Sequence, residues 1–358
     1  MDENVNRQES PAWVQTSLAG AMALGLKPGS FYREAYPGSL NLLMTYRDGC
    51  RANCGYCGLA RERVAPPEED TFIRVKWPVY ELEHIIERLK QPPPEILRKI
   101  RHLRRICLSM ITHPQAAADA LDIVHKLRTD ISLPVSVLVS PTVLVDTDGF
   151  FRKLQASGVD CVGIAVDAAT PELFAALRGP AAGGPHCWQL YWEAVAAASH
   201  IFGRDRTSAH FIVGLGESEQ EMATAIERAR RYGAQAHLFS FCPEPGSRLA
   251  DHQPPSFGQY RRIQLAAYLF NRQPITINEL QFDCRGKITG YGRSLEEWLG
   301  TDLDQGKPFM TSGCPDQKGC VACNRPYGNE RPGPVLRNYP FEPTVTDIQI
   351  IKGQIWNE

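Results

Sequence analysis

Seven short apolar runs that alternate with helix-period segments constrain the fold of this 358-residue chain more than any other feature. Nearly continuous apolar runs separated by amphipathic helices are typical of a buried parallel sheet with helices packed on it. Because parallel crossovers are right-handed, at least six such units predict an α/β fold with a complete or partial TIM-type (β/α) barrel. The runs are LNLLMTY (40–46), RICLSMI (105–111), PVSVLVS (134–140), CVGIAVD (161–167), AHFIVGL (209–215), AHLFSF (236–241) and ITINEL (275–280).

The same alternation of apolar runs and helical segments, and the point where it ends, predict three parts of the chain. Residues 1–35 are predicted to form an N-terminal helical extension, and residues 36–281 the barrel. Residues 282–358 are rich in Gly, Pro and Cys, which indicates a loop-rich C-terminal extension. The run VTDIQIIKG near its end is β-branched and is predicted to be a strand.

Composition narrows the class of protein. A formal net charge of −1 argues against a broad basic surface, so nucleic acid is not an expected partner. The polar N-terminus does not resemble a signal peptide, and no apolar run is long enough to span a membrane. Six of the eleven cysteines fall in two tight clusters, which metal ligation explains better than a disulfide framework. We therefore expect a cytoplasmic metalloprotein without a membrane partner.

The first cysteine cluster lies in YRDGCRANCGYCGLARER, residues 46–63, directly after the first predicted strand. Its thiols belong to Cys50, Cys54 and Cys57. Active sites of parallel barrels lie at the carboxyl ends of the strands, so this loop is placed where chemistry occurs. A structural zinc site normally has four protein ligands, whereas three thiolates leave one metal position open. A zinc knuckle is the alternative interpretation of this loop.

The spacing Cys-x3-Cys-x2-Cys, with aromatic Tyr56 before the last cysteine, resembles the signature of radical S-adenosylmethionine (SAM) enzymes. The resemblance implies a 4Fe-4S cluster whose open iron binds SAM, and an electron from the cluster that cleaves SAM to a 5′-deoxyadenosyl radical. In such an enzyme the cofactor performs the chemistry while the protein positions and shields it. An electron donor such as ferredoxin or flavodoxin is the implied partner.

Further segments resemble the SAM contacts of that family. HFIVGLGESEQE (210–221) resembles the motif at the fifth strand, although an ordinary strand-to-helix turn is the alternative. SFCPEPGSRLA (240–250) resembles the segment after the sixth strand, whose backbone meets the adenine, and a loop without ligand contact is the alternative. The resemblance implies as cofactor contacts Tyr56, Ile212, Gly214, Glu217, Phe241 and Pro243.

Three more polar residues are candidate SAM contacts. In ICLSMI only Ser109 offers a side-chain acceptor, where the family has a carboxylate that binds the amino group of SAM. Asp167 ends the run CVGIAVD and is a candidate acceptor for a ribose hydroxyl. Arg178 is a candidate partner for the methionine carboxylate. Surface or capping roles are the alternatives for the last two residues.

The second cluster, TSGCPDQKGCVACNRPYGNERPG (311–333), contains Cys314, Cys320 and Cys323 in Cys-x5-Cys-x2-Cys spacing. A zinc site completed by a distant ligand is one interpretation. An auxiliary 4Fe-4S cluster near the barrel mouth is the other, and its sulfide would then be within reach of a substrate carbon radical. Four candidates for its fourth ligand remain open: Ser312, Cys284, Arg285 and an exogenous group.

The tail, particularly CNRPYGNERPG, resembles the biotin-synthase-like lipoyl synthases that work as a pair of related proteins. That resemblance implies sulfur insertion into an octanoyl chain on a lipoyl-carrier protein, with a second radical SAM synthase as a partner. Another radical SAM reaction is the alternative, either a carbon-skeleton mutase such as methylornithine synthase or an auxiliary-cluster dehydrogenase. A zinc-binding scaffold without enzymatic activity is the third interpretation.

Overall fold

A computed structural model describes residues 8–66, 69, 71–328 and 330–357. The strands within these residues are β1 (Trp13–Thr16), β2 (Ser39–Met44), β3 (Val79–Glu81), β4 (Arg105–Ser109), β5 (Val135–Val139), β6 (Val159–Asp167), β7 (Thr207–Val213), β8 (Gln235–Ser240), β9 (Gln281–Phe282) and β10 (Ile288–Gly290). The helices are α1 (Leu18–Ala23), α2 (Leu82–Lys90), α3 (Leu97–Ile100), α4 (Ala116–Asp130), α5 (Thr147–Ala156), α6 (Pro171–Leu177), α7 (Trp188–Phe202), α8 (Glu219–Arg231), α9 (Phe257–Arg272), α10 (Leu295–Leu299), α11 (Thr301–Asp304) and α12 (Val345–Gln354).

The main sheet has eight strands in the order β3-β1-β2-β4-β5-β6-β7-β8. The six strands from β2 to β8 in this order pair in parallel, whereas β1 pairs antiparallel with both β2 and β3. Residues from all six parallel strands line one cavity, so the sheet is curled around an interior. The α/β prediction and the TIM-type arrangement are confirmed, in the partial form with β3 and β8 as its edges.

Alternation along each strand separates the two faces of the sheet. In β4, Ile106 and Leu108 are fully buried in the main hydrophobic core, whereas Ser109 faces the cavity. The core therefore lies between the sheet and its outer helices. No helix within the described residues is long and apolar enough to cross a membrane.

Two predicted strands are wrong for the same physical reason. In ITINEL, the residues Ile277–Glu279 form a 3₁₀ helix that begins with a capping box between Thr276 and Glu279. In VTDIQIIKG the chain forms α12, which begins with a capping box between Thr344 and Asp347. The caps satisfy backbone groups at the helix start and so override the β-branched composition of both runs.

The N-terminal extension is not only helical, because β1 lies within it and joins the sheet. At the other end of the chain, Asn324 connects the C-terminal extension to the start of β2. Its Oδ1 accepts from the Gly38 amide at 2.8 Å, and its Nδ2 donates to the Tyr36 carbonyl at 2.9 Å. The Ser312 hydroxyl accepts from the Leu238 amide of β8 at 3.2 Å. The C-terminal extension therefore contacts both β2 and β8, while the predicted part boundaries stay a prediction.

Candidate functional site

The first cysteine cluster lies at the carboxyl end of the parallel strands. Cys50, Cys54 and Cys57, which we call the loop triad, line an open cavity of about 210 Å³. The loop is held between two neighbouring segments, because the Arg51 amide donates to the Thr112 carbonyl at 2.8 Å and the Gly55 amide to the Leu177 carbonyl at 2.7 Å. The structure thus brings the three thiols into the cavity that the barrel strands surround.

Burial controls the protonation of the loop triad. It raises the pKa of the Cys54 thiol to about 11 and that of Cys57 well above its ordinary value. A thiolate in this place is unfavourable without a cation, and an iron ion bound to the sulfur would supply that charge and displace the proton. The donor set, three thiols that line one cavity, therefore fits a cluster with one open iron.

Tyr56, Asp167 and Arg178 form one network on the wall of this cavity. The Tyr56 hydroxyl and the Arg178 Nη1 both donate to Asp167 Oδ2, the latter at 2.7 Å. Asp167 has a φ of +63°, a left-handed conformation that turns the end of β6. Arg178 Nε is buried and lacks a hydrogen-bond partner within the described residues. The network leaves one guanidinium donor without a protein acceptor at the predicted SAM site.

Sequence analysis missed three residues that extend this network. Arg178 Nη2 donates to the Tyr191 hydroxyl at 3.2 Å, and this hydroxyl lies 2.9 Å from His186 Nδ1. The Thr142 hydroxyl lies 2.6 Å from the same nitrogen. Burial, aided by the Arg178 charge, lowers the pKa of His186 to about 2, so its imidazole is neutral. Buried polar groups with several partners rigidify a site, and no spacing in the sequence signals this set.

The other predicted SAM contacts divide into two groups. Ser109, Ile212 and Phe241 line the cavity, whereas Gly214, Glu217 and Pro243 do not. Glu217 folds back on its own turn, where its carboxylate accepts from the amides of Gly214 and Leu215 at 2.7 and 2.9 Å. Burial raises the pKa of Glu217 to about 7, against the effect of these amides. The geometry of Glu217 is that of the strand-to-helix turn given above as the alternative.

The second cysteine cluster lies at the opposite end of the barrel, so its predicted place near the barrel mouth is wrong. The Pro315 carbonyl accepts from Arg105 Nε at 2.7 Å, and Asp316 accepts from Arg104 Nη1 at 2.8 Å. Both arginines lie at the amino end of β4. The hairpin is closed by the amides of Ala322 and Cys323, which donate to the Cys314 carbonyl. The parallel strands are five to nine residues long, so they separate the two ends of the barrel by roughly 17–30 Å.

The structure brings two further cysteines to this hairpin, Cys107 of β4 and Cys161 of β6. The Cys161 thiol accepts from Arg105 Nη2 at 3.7 Å, and Arg105 Nε donates to the carbonyl of Pro315, the residue after Cys314. The Cys323 thiol donates to Asn41 Oδ1 at 3.8 Å, and Asn41 of β2 is aligned with Cys107 of β4. We call Cys107, Cys161, Cys314 and Cys323 the inner thiols. Both strand cysteines lie outside the two clusters recognised in the sequence, and each belongs to one of the apolar runs.

The remaining predicted auxiliary ligands do not join the inner thiols. Cys320 is exposed in the hairpin turn. Ser312 uses its hydroxyl to bind β8, as described above. Cys284 is exposed and lies two residues before Gly286, whose carbonyl accepts from the Gln220 amide at the start of α8. Because α8 follows the carboxyl end of β7, Cys284 and the neighbouring Arg285 lie far from the inner thiols.

A pair of histidines lies on the last two strands of the parallel sheet. His210 and His237 are aligned on β7 and β8 with ring centroids 5.4 Å apart, and His210 lines the cavity. Burial lowers the pKa of His210 to about 3 and that of His237 well below its ordinary value, so both rings are neutral. Within the described parts of the chain, no three His, Cys, Asp or Glu side chains are grouped as one metal ion would require.

A family model described as the radical SAM superfamily matches residues 44–229, which include the loop triad, Asp167, Arg178 and the whole of β7. No curated protein sequence matches the chain significantly.

Several solved structures are similar at low identity. HydG, a maturase of the FeFe-hydrogenase, is 14% identical over 71% of this chain and 54% of its own, with a TM-score of 0.49. The radical SAM methyltransferase TsrM from Kitasatospora setae, with cobalamin and a 4Fe-4S cluster bound, is 15% identical over 81% of this chain and 49% of its own, with a TM-score of 0.39. The radical SAM enzyme HemN, coproporphyrinogen III oxidase from Escherichia coli, is 15% identical over 58% of this chain and 46% of its own, with a TM-score of 0.36. The chain thus spans about half the length of these proteins.

Proposed function

This chain belongs to the radical SAM superfamily, and from that premise we propose that it produces a carbon radical on a substrate held inside the barrel. The observation that carries this proposal is that the loop triad opens into a cavity lined by all six parallel strands. When bound to the loop triad, a 4Fe-4S cluster would offer one open iron to SAM and supply the electron that cleaves SAM to a 5′-deoxyadenosyl radical.

The described residues give this chemistry a site. Ile212 and Phe241 provide apolar surface for the adenosine part of SAM, and Phe241 is buried against Tyr56 and Cys54 in one small cluster. The Arg178 guanidinium places a positive charge on the same wall of the cavity. Its buried Nε is suited to donate to a carboxylate oxygen of SAM. The cavity lining is mostly apolar, so it offers a reactive radical few polar groups for side reactions.

We further propose that the reaction is sulfur insertion of the lipoyl synthase type, with an auxiliary cluster as the sulfur source. Cys107 lies two residues before cavity-lining Ser109 on β4, which places it about 7 Å below the cavity along the strand. A substrate radical in the cavity would therefore lie between the loop triad and the inner thiols. A cluster held there would supply the sulfide that bonds to the substrate carbon and the iron that accepts one electron, and 5′-deoxyadenosine would carry away the substrate hydrogen.

The proposed substrate is an octanoyl chain on a lipoyl-carrier protein, and its unactivated C–H bonds need a radical because they carry no acidic proton. A paired radical SAM synthase and a ferredoxin or flavodoxin reductant are the proposed partners. The test reconstitutes the protein anaerobically with iron and isotopically heavy sulfide, adds SAM, dithionite and an octanoylated carrier peptide, and measures product masses. We expect heavy sulfur in the product at no more than one turnover.

Other masses would decide between the alternatives. A rearranged product with both clusters intact would indicate a mutase, and a product two hydrogens lighter would indicate a dehydrogenase. Light sulfur in the product of the heavy-labelled enzyme contradicts sulfur insertion from a cluster. A colourless protein that binds zinc and leaves SAM intact contradicts the proposed radical chemistry altogether.

A loop-triad variant provides the control. Cys54→Ala removes one of three cluster ligands, so it should form no 5′-deoxyadenosine. Chromatography of the quenched reaction detects this product directly, without the carrier peptide. Normal SAM cleavage by Cys54→Ala would show that the loop triad does not hold the SAM-cleaving cluster.

A further inference from the structure

We propose that the four inner thiols, Cys107, Cys161, Cys314 and Cys323, together hold an iron–sulfur cluster, and that Cys320 is not one of its ligands. The inference rests on the proposed function, because it names the ligands of the proposed sulfur source. The binding site itself is argued from contacts that do not depend on the reaction.

The first argument is that the four cysteines share the same neighbours. Cys161 and the carbonyl next to Cys314 both accept from Arg105, and Cys323 donates to Asn41, which is aligned with Cys107. Cys314 and Cys323 lie opposite each other on the hairpin, because the Cys323 amide donates to the Cys314 carbonyl at 3.2 Å. Four convergent thiols are the usual protein ligands of both 2Fe-2S and 4Fe-4S clusters.

The second argument is register. Cys107 of β4 is aligned with Ser136 of β5, and Ser136 with Cys161 of β6. The two cysteines thus occupy one level of the barrel interior with a strand between them, so their Cα atoms are about 9–10 Å apart. A cluster several ångströms across spans that separation more readily than a single zinc ion, whose bonds to sulfur are about 2.3 Å long.

The third argument is charge. Thiolates in a buried site need nearby cations, and Arg105 and Arg325 both interact with Cys107. Arg105 is fully buried and donates to Cys161, while Asp160 binds the other side of its guanidinium at 2.7 and 2.8 Å. Arg325 lies 4.0 Å over the Phe239 ring, and its buried Nε has no hydrogen-bond partner among the described atoms. The inner thiols are therefore flanked by two guanidinium groups.

The fourth argument concerns shielding. Cys161 and Cys323 are buried, and the Cys323 thiol donates to Asn41 Oδ1 at 3.8 Å. Cys320 is exposed on the same hairpin, although its spacing from Cys323 is that of a typical ligand pair. An exposed cluster ligand would admit water and oxidants to the iron, whereas the inner set places the metal inside the barrel. Cys320 therefore serves as a matched control within the same segment.

The test uses the full chain with the loop triad removed, as Cys50→Ala/Cys54→Ala/Cys57→Ala, so that any bound iron belongs to the second site. After anaerobic reconstitution, iron, zinc and acid-labile sulfide are counted and the visible charge-transfer band is recorded. Adding Cys161→Ala or Cys107→Ala should cause loss of most iron, sulfide and absorbance. Adding Cys320→Ala should leave all three unchanged.

The same single substitutions in the protein with an intact loop triad report on folding. Cys161→Ala and Cys107→Ala should retain SAM cleavage, because the loop triad is at the other end of the barrel. If an alanine variant misfolds, Cys161→Ser is the second variant for the same measurements. Iron lost on Cys320→Ala but kept in the Cys161 and Cys107 variants would overturn the ligand set. Zinc bound without sulfide would overturn the cluster. Absence of sulfur insertion would contradict the proposed function and leave these metal counts unaffected.

Discussion

Gly214 illustrates how the surroundings of one residue determine its role. Its φ is +99°, and a Cβ at this position would lie 2.6 Å from Cδ of Pro255. The sequence predicts a glycine that lets SAM approach the backbone, but the nearest obstacle to a side chain is Pro255. Substitution of Gly214 therefore tests packing and backbone strain together, and reduced SAM binding by a variant would not identify a cofactor contact.

We predict that Gly214→Ala lowers the free energy of unfolding by about 1–3 kcal/mol, because alanine is strained at positive φ and also meets Pro255. Gly203→Ala is the matched control, since Gly203 has a φ of +89° with no neighbouring atom within 4 Å of a Cβ. Gly203→Ala should lose only the part of the free energy of unfolding that is due to backbone strain. Urea unfolding of both variants measures the difference, and equal losses would show that contact with Pro255 costs nothing.

Glu217 predicts a pH dependence of stability. Burial raises its pKa in the folded protein from about 4.5 to about 7, so the folded state binds the proton more tightly than the unfolded state. This contribution to stability is present below pH 4.5 and is lost as pH rises to about 7, a change of roughly 3 kcal/mol. Glu217→Gln has no carboxyl group and should lack this slope. Urea unfolding from pH 4.5 to 8 tests this, and parallel curves for the two proteins would contradict it.

At the scale of elements, one buried ion pair connects four parts of the chain. Glu219 at the start of α8 accepts from Arg262 of α9 and from the Ile288 amide of β10. Arg262 Nη1 also donates to the Ile355 carbonyl after α12, at 2.6 Å. Both side chains are almost fully buried, with exposed fractions of 6% for Glu219 and 1% for Arg262. The pair fixes how the C-terminal helices pack on the barrel.

We predict that Glu219→Ala costs about 3–5 kcal/mol, because it leaves the Arg262 charge buried without its partner. The double variant Glu219→Leu/Arg262→Met should lose less stability than Glu219→Ala, since it removes both charges and keeps apolar volume. Thermal and urea unfolding of the single and double variants measure the coupling. Simple additivity of the two changes would show that the charges do not act as a pair.

At the scale of the whole molecule, the C-terminal extension completes the barrel wall. Asn324 binds the segment before β2, while Arg74 Nη2 donates to the Ser240 carbonyl of β8 at 2.6 Å and its Nη1 to the Gly328 carbonyl. These hydrogen bonds connect the CNRPYG segment to the chain before β2 and, through Arg74, to edge strand β8.

We predict that Asn324→Ala lowers the free energy of unfolding by about 1–3 kcal/mol, because it leaves buried backbone groups without partners. Hydrogen exchange at the Gly38 amide should also become faster, since this amide loses its acceptor. Asn324→Asp keeps the acceptor oxygen and loses the two donated bonds, so it should preserve more of the protection at Gly38. Unchanged exchange in the alanine variant would mean that Asn324 does not hold the barrel wall.

The sequence by itself determined the features that depend on neighbouring residues. Six apolar runs predicted the six parallel strands because a nearly continuous apolar composition is encoded within each run. The spacing of Cys50, Cys54 and Cys57 identified the loop triad because all three thiols belong to one loop. The two strand predictions that failed were also local errors. In each case a Thr, Thr276 inside the first run and Thr344 directly before the second, is followed three positions later by an acidic residue, and this capping signal outweighed the β-branched composition.

Only the tertiary structure decided which residues of distant segments meet. Cys107 and Cys161 join Cys314 and Cys323 because the strand register puts the first two on one level and the hairpin packs on Arg105 at the amino end of the barrel. Register and sheet curvature arise from the packing of the whole core, so no spacing along the chain encodes them. The same reason explains why Cys320, three residues from Cys323, lies on the surface while Cys161 lies beside Cys314.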